Sequence, residues 1–549
     1  AAGGPALLFT RVGTSPFPVV TNLFGTAKRV EIAFGRKPRD LIARAASLPE
    51  RIFPPTPKRL WGERSLFGAL SKVGLNLSSN GPVLEMRQND LSQLPVLTTW
   101  PEDGGPFITL PLVYTEHPEG HGHNLGIYRM QVYEGTRAGM HWQIAKGGGF
   151  HYAVAEAQDR SLPVNVFLGG PPALMVAAIA PLPENVPELL LASLLLGRKL
   201  PMAKNPAGVL PLMADAEFVL VGEVPPKERA PEGPFGDHYG YYSLTHDYPV
   251  FHCKALFHKR DAIYPATVVG KPRQEDFFLG DFLQELLSPI FPRVMPAVTD
   301  LWAYGETGYH SLAAAVVKQR FKREAMVSAF RILGEGQLAL TKFLLVLDRP
   351  MDLKDFPAVL EHVLARADFR TDLYLFANLS MDTLDYTGPK VNEGSKGVLL
   401  GVGDPIRELP REFRGELPHG FMDPRTFCGG CLVLNGPDAK QEPEAGQRLA
   451  HSSALKDWPL VVLVDDAERT TRSVINFLWT TFTRFEPAAD VYAAKVTLVR
   501  QQPSFTPPIV IDARLKPGFP KELFCDPDTS AKVTTRWREY FPEGMEMGD

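Results

Sequence analysis

Residues 230–241 read Ala230-Pro231-Glu232-Gly233-Pro234-Phe235-Gly236-Asp237-His238-Tyr239-Gly240-Tyr241, so two carboxylates flank Gly-Pro-Phe-Gly. Glycine and proline at these positions predict a tight turn. In a straight strand Glu232 and Asp237 would face opposite sides, whereas a turn lets both side chains reach one cavity. Two acids in one apolar cavity repel each other, so we expect one pKa to rise and that group to hold a proton near neutral pH. The alternative interpretation is a surface turn that carries two solvated acids.

The composition is that of an ordinary globular protein. The chain has 549 residues, which suggests about three domains, and it is 44% hydrophobic and 22% charged. A net charge of −4 and a pI of about 6.4 predict no basic surface for nucleic acid. Ala1–Phe9 has no charged n-region, and the apolar run Leu189–Leu196 is far shorter than the roughly 20 residues of a membrane span. We therefore expect a cytoplasmic protein.

The four cysteines do not form a disulfide framework in a chain of this length. Cys428-Gly-Gly-Cys431 has the spacing of half a zinc site or of a redox pair. No second CxxC follows, so the simpler interpretation is a loop with two incidental thiols.

After a first region of short strands, such as Pro18–Asn22, the pattern from about residue 107 is mostly β. Gly126–Tyr133 and His141–Lys146 are predicted to be strands joined by a turn at Gly135–Gly139. Antiparallel hairpins with interspersed helices indicate a barrel-like α+β domain. The other predicted elements are a helix at Phe150–Gln158, a strand at Val164–Leu168, a helix at Pro187–Leu196 and strands at Phe218–Val224 and Val250–Phe257.

The pattern changes after about residue 312. Leu338–Leu347 reads as a strand, Asp352 as the cap of a helix at Leu353–Arg366, and Asp372–Phe376 as the next strand. This order predicts a βαβ unit with parallel strands. A strand at Leu460–Asp465 followed by a helix over Ala467–Thr481 repeats the pattern, so we expect a separate α/β domain.

Several motifs in a fixed order make the chain resemble the UbiD family, decarboxylases that use prenylated FMN and of which several also run as carboxylases. Besides residues 230–241, the motifs are Gly3-Gly4-Pro5-Ala6-Leu7-Leu8-Phe9, Asn22-Leu23-Phe24-Gly25-Thr26, Asn124-Leu125-Gly126-Ile127-Tyr128-Arg129 and Pro507-Pro508-Ile509-Val510-Ile511-Asp512-Ala513-Arg514. The resemblance implies an N-terminal α/β domain (1–106), a central split β-barrel that binds the flavin (107–310), and a C-terminal α/β oligomerisation domain with a tail (311–549).

The resemblance also implies the catalytic residues. Asp237 stands where the family has its proton donor, Glu232 at the partner acid, and Arg129 at the arginine between the two acids. A guanidinium can grip a carboxylate bidentately, whether that of Glu232 or that of the substrate. Some relatives have glutamate in place of Asp237, which leaves open whether the chemistry is unchanged or the cavity is shaped for another substrate.

The cofactor and its metal are implied in the same way. The flavin phosphate is expected to be neutralised by Mn²⁺, or a similar divalent ion, and K⁺, because a buried dianion without a cation is very costly. The expected metal ligands are Asn124, Glu188 and His151, with His141 as a competing imidazole. The expected flavin-binding residues are Ile127, Tyr128, Arg129, His141, Trp142, Gln143, Lys146, Gly147 and, from the C-terminal domain, Lys396.

The expected activity is the reversible non-oxidative decarboxylation of an aromatic, heteroaromatic or α,β-unsaturated carboxylic acid. The expected partners are that small-molecule acid, a flavin prenyltransferase that supplies the cofactor, and further copies of the chain in a homodimer or hexamer. Two alternatives remain: an aromatic carboxylase, alone or within a multi-subunit complex, and a non-catalytic cofactor-binding paralogue. A metal-dependent hydrolase is a weaker alternative, because no nucleophile elbow or HExxH motif is present.

Overall fold

The computed structural model describes residues 4–541 and 544, except 14, 35–36, 144–146, 183–186 and 272. Its residues fall into two compact units, Ala1–Leu287 with Pro520–Asp549, and Ser288–Phe519. The division into three domains at residues 107 and 311 stays a prediction. Among the described residues no helix is long and apolar enough to cross a membrane.

The first unit contains most of the strands. They are β1 (Leu7–Phe9), β2 (Val19–Thr21), β3 (Leu75–Ser78), β4 (Met86–Gln88), β5 (Phe107–Ile108), β6 (Leu112–Glu116), β7 (His123–Ile127), β8 (Met130–Glu134), β9 (Arg137–Gly139), β10 (Leu162–Leu168), β11 (Leu200–Ala203), β12 (Leu212–Met213), β13 (Phe218–Val224), β14 (Arg229–Glu232), β15 (His246–His258) and β16 (Tyr264–Pro265). The helices before residue 288 are α1 (Ala27–Phe34), α2 (Lys37–Ala46), α3 (Leu48–Ile52), α4 (Pro57–Gly62), α5 (Arg64–Leu70), α6 (Gly147–Ala157), α7 (Ala173–Ile179), α8 (Glu188–Leu196) and α9 (Glu275–Leu287).

Ten of these strands form one large antiparallel sheet. Its main path runs β5-β8-β9-β15-β13-β10-β6-β7, with β4 and β14 also pairing with β15. β7 and β8 stand near opposite ends of this path, yet only Tyr128 and Arg129 join them. That link spans at most about 10 Å, whereas six strand spacings in a flat sheet would separate β7 and β8 by about 29 Å. The sheet must therefore curl until its two ends approach, although its finer description as a split barrel stays a prediction.

The sequence predicted most strands of this sheet but not the connection that closes it. The predicted strand Gly126–Tyr133 is wrong as one element, because the chain bends at Tyr128 and Arg129. The predicted turn at 135–139 is also too long, since β9 occupies Arg137–Gly139. Residues 141–143 are not in a strand, and 144–146 lie outside the described residues. The predicted strand at Phe218–Val224 is confirmed.

The second unit holds two five-stranded sheets. Its strands are β17 (Val298–Ala303), β18 (Leu312–Val317), β19 (Phe343–Leu347), β20 (Leu373–Ser380), β21 (Glu393–Gly401), β22 (Met422–Cys428), β23 (Cys431–Asn435), β24 (Leu460–Val464), β25 (Val491–Val499) and β26 (Gln502–Asp512). Its helices are α10 (Phe291–Val294), α11 (Glu324–Leu333), α12 (Phe356–Arg366), α13 (Phe369–Asp372), α14 (Ala445–Ala450), α15 (Ala467–Thr471) and α16 (Val474–Arg484). The final helices, α17 (Pro527–Thr535) and α18 (Trp537–Tyr540), belong to the first unit.

The two sheets of the second unit repeat one topology. Their orders are β17-β18-β19-β21-β20 and β22-β23-β24-β26-β25, so each follows the path 1-2-3-5-4. In both, the first pair and the last pair are antiparallel and the two middle pairs are parallel. The repeat is visible in the strand order and in the direction of each pairing.

Several local predictions in this unit are corrected. β20 does not continue a parallel βαβ unit after α12, because it pairs antiparallel with β21 at the sheet edge while β21 pairs parallel with β19. The cap of α12 is Asp355, which accepts the backbone N–H of Ala358, rather than Asp352. The predicted helix 467–481 is divided, since Ser473 caps a new helix by accepting the N–H of Asn476.

The two cysteines of the CxxC motif close the β22–β23 hairpin opposite each other. Both are buried free thiols. Among the described residues they belong to no group of three or more potential metal ligands. The interpretation of Cys428 and Cys431 as two incidental thiols stays a prediction.

Candidate active site

The central cation of the site, Arg129, lies on the two-residue link between β7 and β8. Its Nε donates to Glu232 Oε1 at 2.7 Å and its Nη2 to Glu232 Oε2 at 3.1 Å, a bidentate pairing. Its Nη1 donates to Asp237 Oδ2, and Nη2 also donates to Ser243 Oγ at 3.0 Å. The side chains of all four residues are buried. The turn at 232–237 brings both acids to one place, as their spacing predicted, and the residue they meet there is Arg129.

The turn between the acids is held by hydrogen bonds to its backbone. Gly233, at φ +99°, donates its N–H to Gln131 Oε1 at 2.8 Å, and Gly236 donates to Asp103 Oδ1 at 2.8 Å. A Cβ on Gly236 would lie 2.1 Å from Cδ1 of Trp100, so no larger residue fits there. Because its donors are satisfied and its glycines are required by φ and by close packing, the turn is a fixed support for the two carboxylates.

A histidine lies beside each carboxylate. Nδ1 of His141 is 3.0 Å from Glu232 Oε2, and Nδ1 of His238 is 2.8 Å from Asp237 Oδ1. The backbone N–H of His238 also donates to Asp237 Oδ1 at 2.7 Å. His141 was considered as a competing metal ligand, but one of its nitrogens is directed at Glu232. Its other ring nitrogen, Nε2, is buried and makes no hydrogen bond with a described residue.

The pKa values of the acids contradict the expectation of one protonated carboxyl group. Burial alone would raise the pKa of Glu232, but the charge of Arg129 and the contact with His141 outweigh it and lower that pKa to about 2. Burial would likewise raise the pKa of Asp237, yet Arg129 and His238 lower it further still. Repulsion between the two acids alone would raise one pKa, but the cation between them reverses the direction. Both carboxylates are ionised at neutral pH when Arg129 has no other partner.

Aromatic rings enclose this charged cluster. The Phe235 ring centroid is 4.7 Å from Arg129 Cζ, and Phe107 packs on Phe235 at 4.6 Å between ring centroids. Tyr248 packs on His141 at 4.3 Å between ring centroids. These rings exclude water from the ion pairs and leave the guanidinium face in contact with an aromatic surface.

The expected metal ligands Asn124 and Glu188 lie close to each other in the fold. Glu188 begins α8, and its Oε2 accepts the backbone N–H of Leu125, the residue after Asn124, at 3.0 Å. Burial raises the pKa of Glu188, a cost that a bound cation would offset. Gly147 approaches Asn124 so closely that a Cβ on it would lie 2.2 Å from the amide oxygen. One amide, one carboxylate and one imidazole form a donor set that suits a manganese-like ion.

His151 fits the imidazole position better than His141. It lies on α6, and its Nδ1 is 2.8 Å from Thr115 Oγ1. Thr115 is the cross-strand partner of Asn124 in the β6–β7 pair, so their side chains share one face of the sheet. Burial, together with His117 and His123, lowers the pKa of His151 to about 4, so the ring is neutral at pH 7, the form that binds metals.

The remaining predicted cofactor residues differ in how far the structure places them. Tyr128 Oη lies 3.3 Å from the backbone N of Gly148 beside Gly147, and the buried Trp142 Nε1 makes no hydrogen bond with a described residue, so it is a free donor for a ligand. Ile127 and Gln143 adjoin this group along the chain, whereas Lys146 lies outside the described residues. Lys396 is on β21 in the second unit, where its Nζ donates to the carbonyl of Thr341 at 3.1 Å. Within the first unit, the Trp142 donor and the glycine backbone at Gly147 and Gly148 fit a flavin with its metal.

Three polar residues of the acid cluster were not predicted from the sequence. Ser243 contacts Arg129 and accepts the N–H of Phe235 at 3.1 Å, Gln131 supports Gly233, and His238 was quoted only as part of the motif. The side-chain alternation of β8 could have identified Gln131, which lies two residues after Arg129. Nothing in the sequence near Ser243 indicates its role.

Comparison with known proteins decides the family. Models of the N-terminal domain, the Rift-related domain and the C-terminal domain of 3-octaprenyl-4-hydroxybenzoate carboxy-lyase match residues 1–48, 76–272 and 277–401. A Chlamydia pneumoniae protein named as a subunit of 4-hydroxybenzoate decarboxylase is 52% identical over 543 residues, which cover 98% of this chain and 92% of that protein. The chain belongs to the UbiD family.

Solved structures of UbiD-class enzymes share the fold. The vanillic acid decarboxylase of Sedimentibacter hydroxybenzoicus in its closed form matches with a TM-score of 0.64 at 22% identity, over 80% of this chain and 88% of that one. An evolved dimeric form of HmfF from Pelotomaculum thermopropionicum, in complex with prenylated FMN, matches with a TM-score of 0.59 at 23% identity, over 76% and 89% of the two chains. At this identity the likeness establishes the UbiD fold alone.

Proposed function

We propose that this UbiD-family protein decarboxylates an aromatic, heteroaromatic or α,β-unsaturated carboxylic acid with the help of prenylated FMN. The observation that carries the proposal is the buried arginine held between two carboxylates, Arg129 with Glu232 and Asp237. A buried guanidinium whose second acid can be exchanged is a binding site for the carboxylate of a substrate. An aromatic acid fits best beside the rings of Phe235 and Phe107.

The geometry supports different roles for the two acids. Glu232 holds Arg129 by two hydrogen bonds, so the guanidinium keeps its orientation if another anion replaces Asp237 at Nη1. Once a substrate carboxylate occupies Nη1, Asp237 loses its main counter-charge while it stays buried. Its pKa then rises, because burial is the largest single influence on it and is no longer opposed by Arg129.

Substrate binding would therefore protonate the acid that the reaction needs. Asp237 takes up a proton as Arg129 turns to the substrate, and it returns this proton to the carbon that has lost CO₂. When bound, prenylated FMN supplies the electron sink for the pair of electrons left by CO₂. The aromatic rings around Arg129 keep water away from that carbon.

We further propose that Asn124, Glu188 and His151 hold a divalent ion such as Mn²⁺, with K⁺ nearby, at the flavin phosphate. Tyr128, Trp142, Gln143, Gly147 and Lys146 would contact the flavin, and Lys396 its phosphate. A flavin prenyltransferase would supply the cofactor. Because the Chlamydia pneumoniae relative is named as one subunit of a decarboxylase, a second, different subunit is worth seeking besides the predicted homodimer or hexamer.

The function is tested by co-expression with a flavin prenyltransferase, followed by an absorbance spectrum and assays of CO₂ release from a panel of carboxylic acids. We expect bound flavin, and we expect Asp237→Asn to retain the flavin while it loses at least about 100-fold in rate. Asp159→Asn, which breaks an exposed ion pair with Lys227, is the matched control and should keep full activity. Product analysis under high bicarbonate separates decarboxylation from carboxylation.

The metal site has its own readout. Asn124→Ala and Glu188→Gln should lower the manganese content, measured by elemental analysis, together with the flavin content. If the protein purifies without flavin and shows no activity after reconstitution, the result would contradict the proposed decarboxylase. It would favour a non-catalytic paralogue.

A further inference from the structure

One part of the chain departs from the overall acidic balance. Residues 28–72, here called the basic segment, contain eleven lysines and arginines and four acids, a net charge of +7 in a chain whose total is −4. The segment includes most of α1 and all of α2–α5. Residues 49–75 lie between the matches of two family models, so neither model covers the part of the basic segment after residue 48.

The second half of the basic segment exposes large apolar side chains. α4 has no buried residue, and every residue from 53 to 62 is exposed. Phe53 is 65% exposed, Leu60 40% and Trp61 71%. Single exposed apolar residues are common on protein surfaces, but three within nine positions concentrate exposed apolar side chains in one short stretch, here called the patch.

The charges around this patch are mostly uncompensated. Lys58, Arg59 and Arg64 make no ion pair with any carboxylate that the structure describes. Glu63, the acid between them, already contacts Arg51 and lies 3.6 Å from Arg44. The patch therefore combines exposed apolar side chains with cations that pair with no described carboxylate.

The patch is also fixed in shape. Nη1 of Arg59 donates to the carbonyls of Phe53 and Pro54, at 2.6 and 3.2 Å. Thr56 caps α4 by accepting the N–H of Arg59, and prolines at 54, 55 and 57 restrict the backbone. Phe53 lies in the hydrogen-bonded stretch before α4 and Trp61 on α4 itself, so docking costs little conformational entropy.

We propose that Phe53, Leu60 and Trp61, with Lys58, Arg59 and Arg64, form a docking surface for an anionic lipid bilayer. Aromatic and leucine side chains enter the headgroup boundary while lysine and arginine attract anionic lipids, and this combination is typical of interfacial helices. A protein partner would be expected to bring acids of defined geometry, whereas dispersed cations around exposed tryptophan fit a diffuse negative surface. Lipid binding is measured without flavin or substrate, so its outcome is independent of the proposed decarboxylation.

The test is co-sedimentation of the full chain with vesicles of phosphatidylcholine, with and without phosphatidylglycerol. We expect binding only when phosphatidylglycerol is present, and we expect added salt to weaken it. Lys58→Gln with Arg64→Gln should weaken binding about 25-fold, since each surface cation contributes about fivefold. Trp61→Ala should weaken binding at least about tenfold by removing the inserted ring.

Matched controls separate an effect of the patch from the effect of removing any exposed cation or any exposed ring. Lys440→Gln with Lys532→Gln removes two exposed cations elsewhere, and Phe524→Ala removes another exposed ring, 63% accessible. Both should bind vesicles like the unsubstituted chain, and all variants should keep its melting temperature. The proposal is overturned if the chain ignores both vesicle types, if the controls weaken binding equally, or if the patch variants change only the oligomeric state in mass photometry.

Discussion

Replacement of Glu232 by glutamine tests the charge balance of the candidate site. The fully buried carboxylate pairs bidentately with Arg129, and its pKa is lowered from 4.5 to about 2. A group with a lowered folded-state pKa stabilises the protein above its unfolded pKa and loses this contribution as pH falls towards the folded pKa. The shift corresponds to about 3 kcal/mol at pH 7, so Glu232→Gln should lower the melting temperature of the first unit by about 5 °C.

The pH dependence gives this prediction its specificity. The stabilisation by Glu232 is complete above about pH 5 and disappears between about pH 4.5 and pH 2, so the difference between the two proteins should narrow over this range. Differential scanning fluorimetry across that range measures it, with Asp159→Asn, which breaks the exposed pair with Lys227, as the control that changes stability by less than about 1 kcal/mol. Equal stability at pH 7, or a difference that does not change with pH, would refute the assignment of Glu232 as the ionised partner of Arg129.

Two further predictions concern packing and the second unit. Gly236→Ala should destabilise the first unit by about 1–3 kcal/mol, because the added Cβ would lie 2.1 Å from Trp100. A Cβ on Gly62 would meet no atom within 4 Å, so Gly62→Ala is the control and should leave thermal unfolding nearly unchanged. Burial lowers the pKa of Lys396 to about 8, so the charged lysine is a cost below pH 8 and Lys396→Met should stabilise the second unit by about 1–3 kcal/mol at pH 7. Lys396→Met should also lose flavin during gel filtration, because the proposed contact of Lys396 with the flavin phosphate is removed. A variant that is less stable and keeps all of its flavin would contradict both expectations.

The candidate site was predictable where local sequence determines local shape. The Gly-Pro-Phe-Gly spacing between Glu232 and Asp237 indicated a turn that presents both acids to one place, and the structure has both on Arg129. The direction of their pKa shifts was not predictable from that stretch, because the controlling charge lies more than 100 positions away in the chain. The contact of His141 with Glu232 was missed for the same reason.

The fold shows the same division between local and long-range information. Periodicity found strands such as β13 and β24, but it could not show that β20 lies antiparallel at a sheet edge or that two sheets share one topology. Net charge was a poor guide as well. Averaged over the whole chain it gave −4 and no reason to look for a basic surface, although residues 28–72 carry +7.

The two-residue link that closes the curled sheet restricts how this enzyme class can diversify. Arg129 is half of that link, so an insertion there would move the cation and pry apart two strands at once. Residues that lie off this link, such as Phe235 and Phe107, can change without moving the backbone that places the guanidinium. The strand path itself therefore fixes the position of the cation.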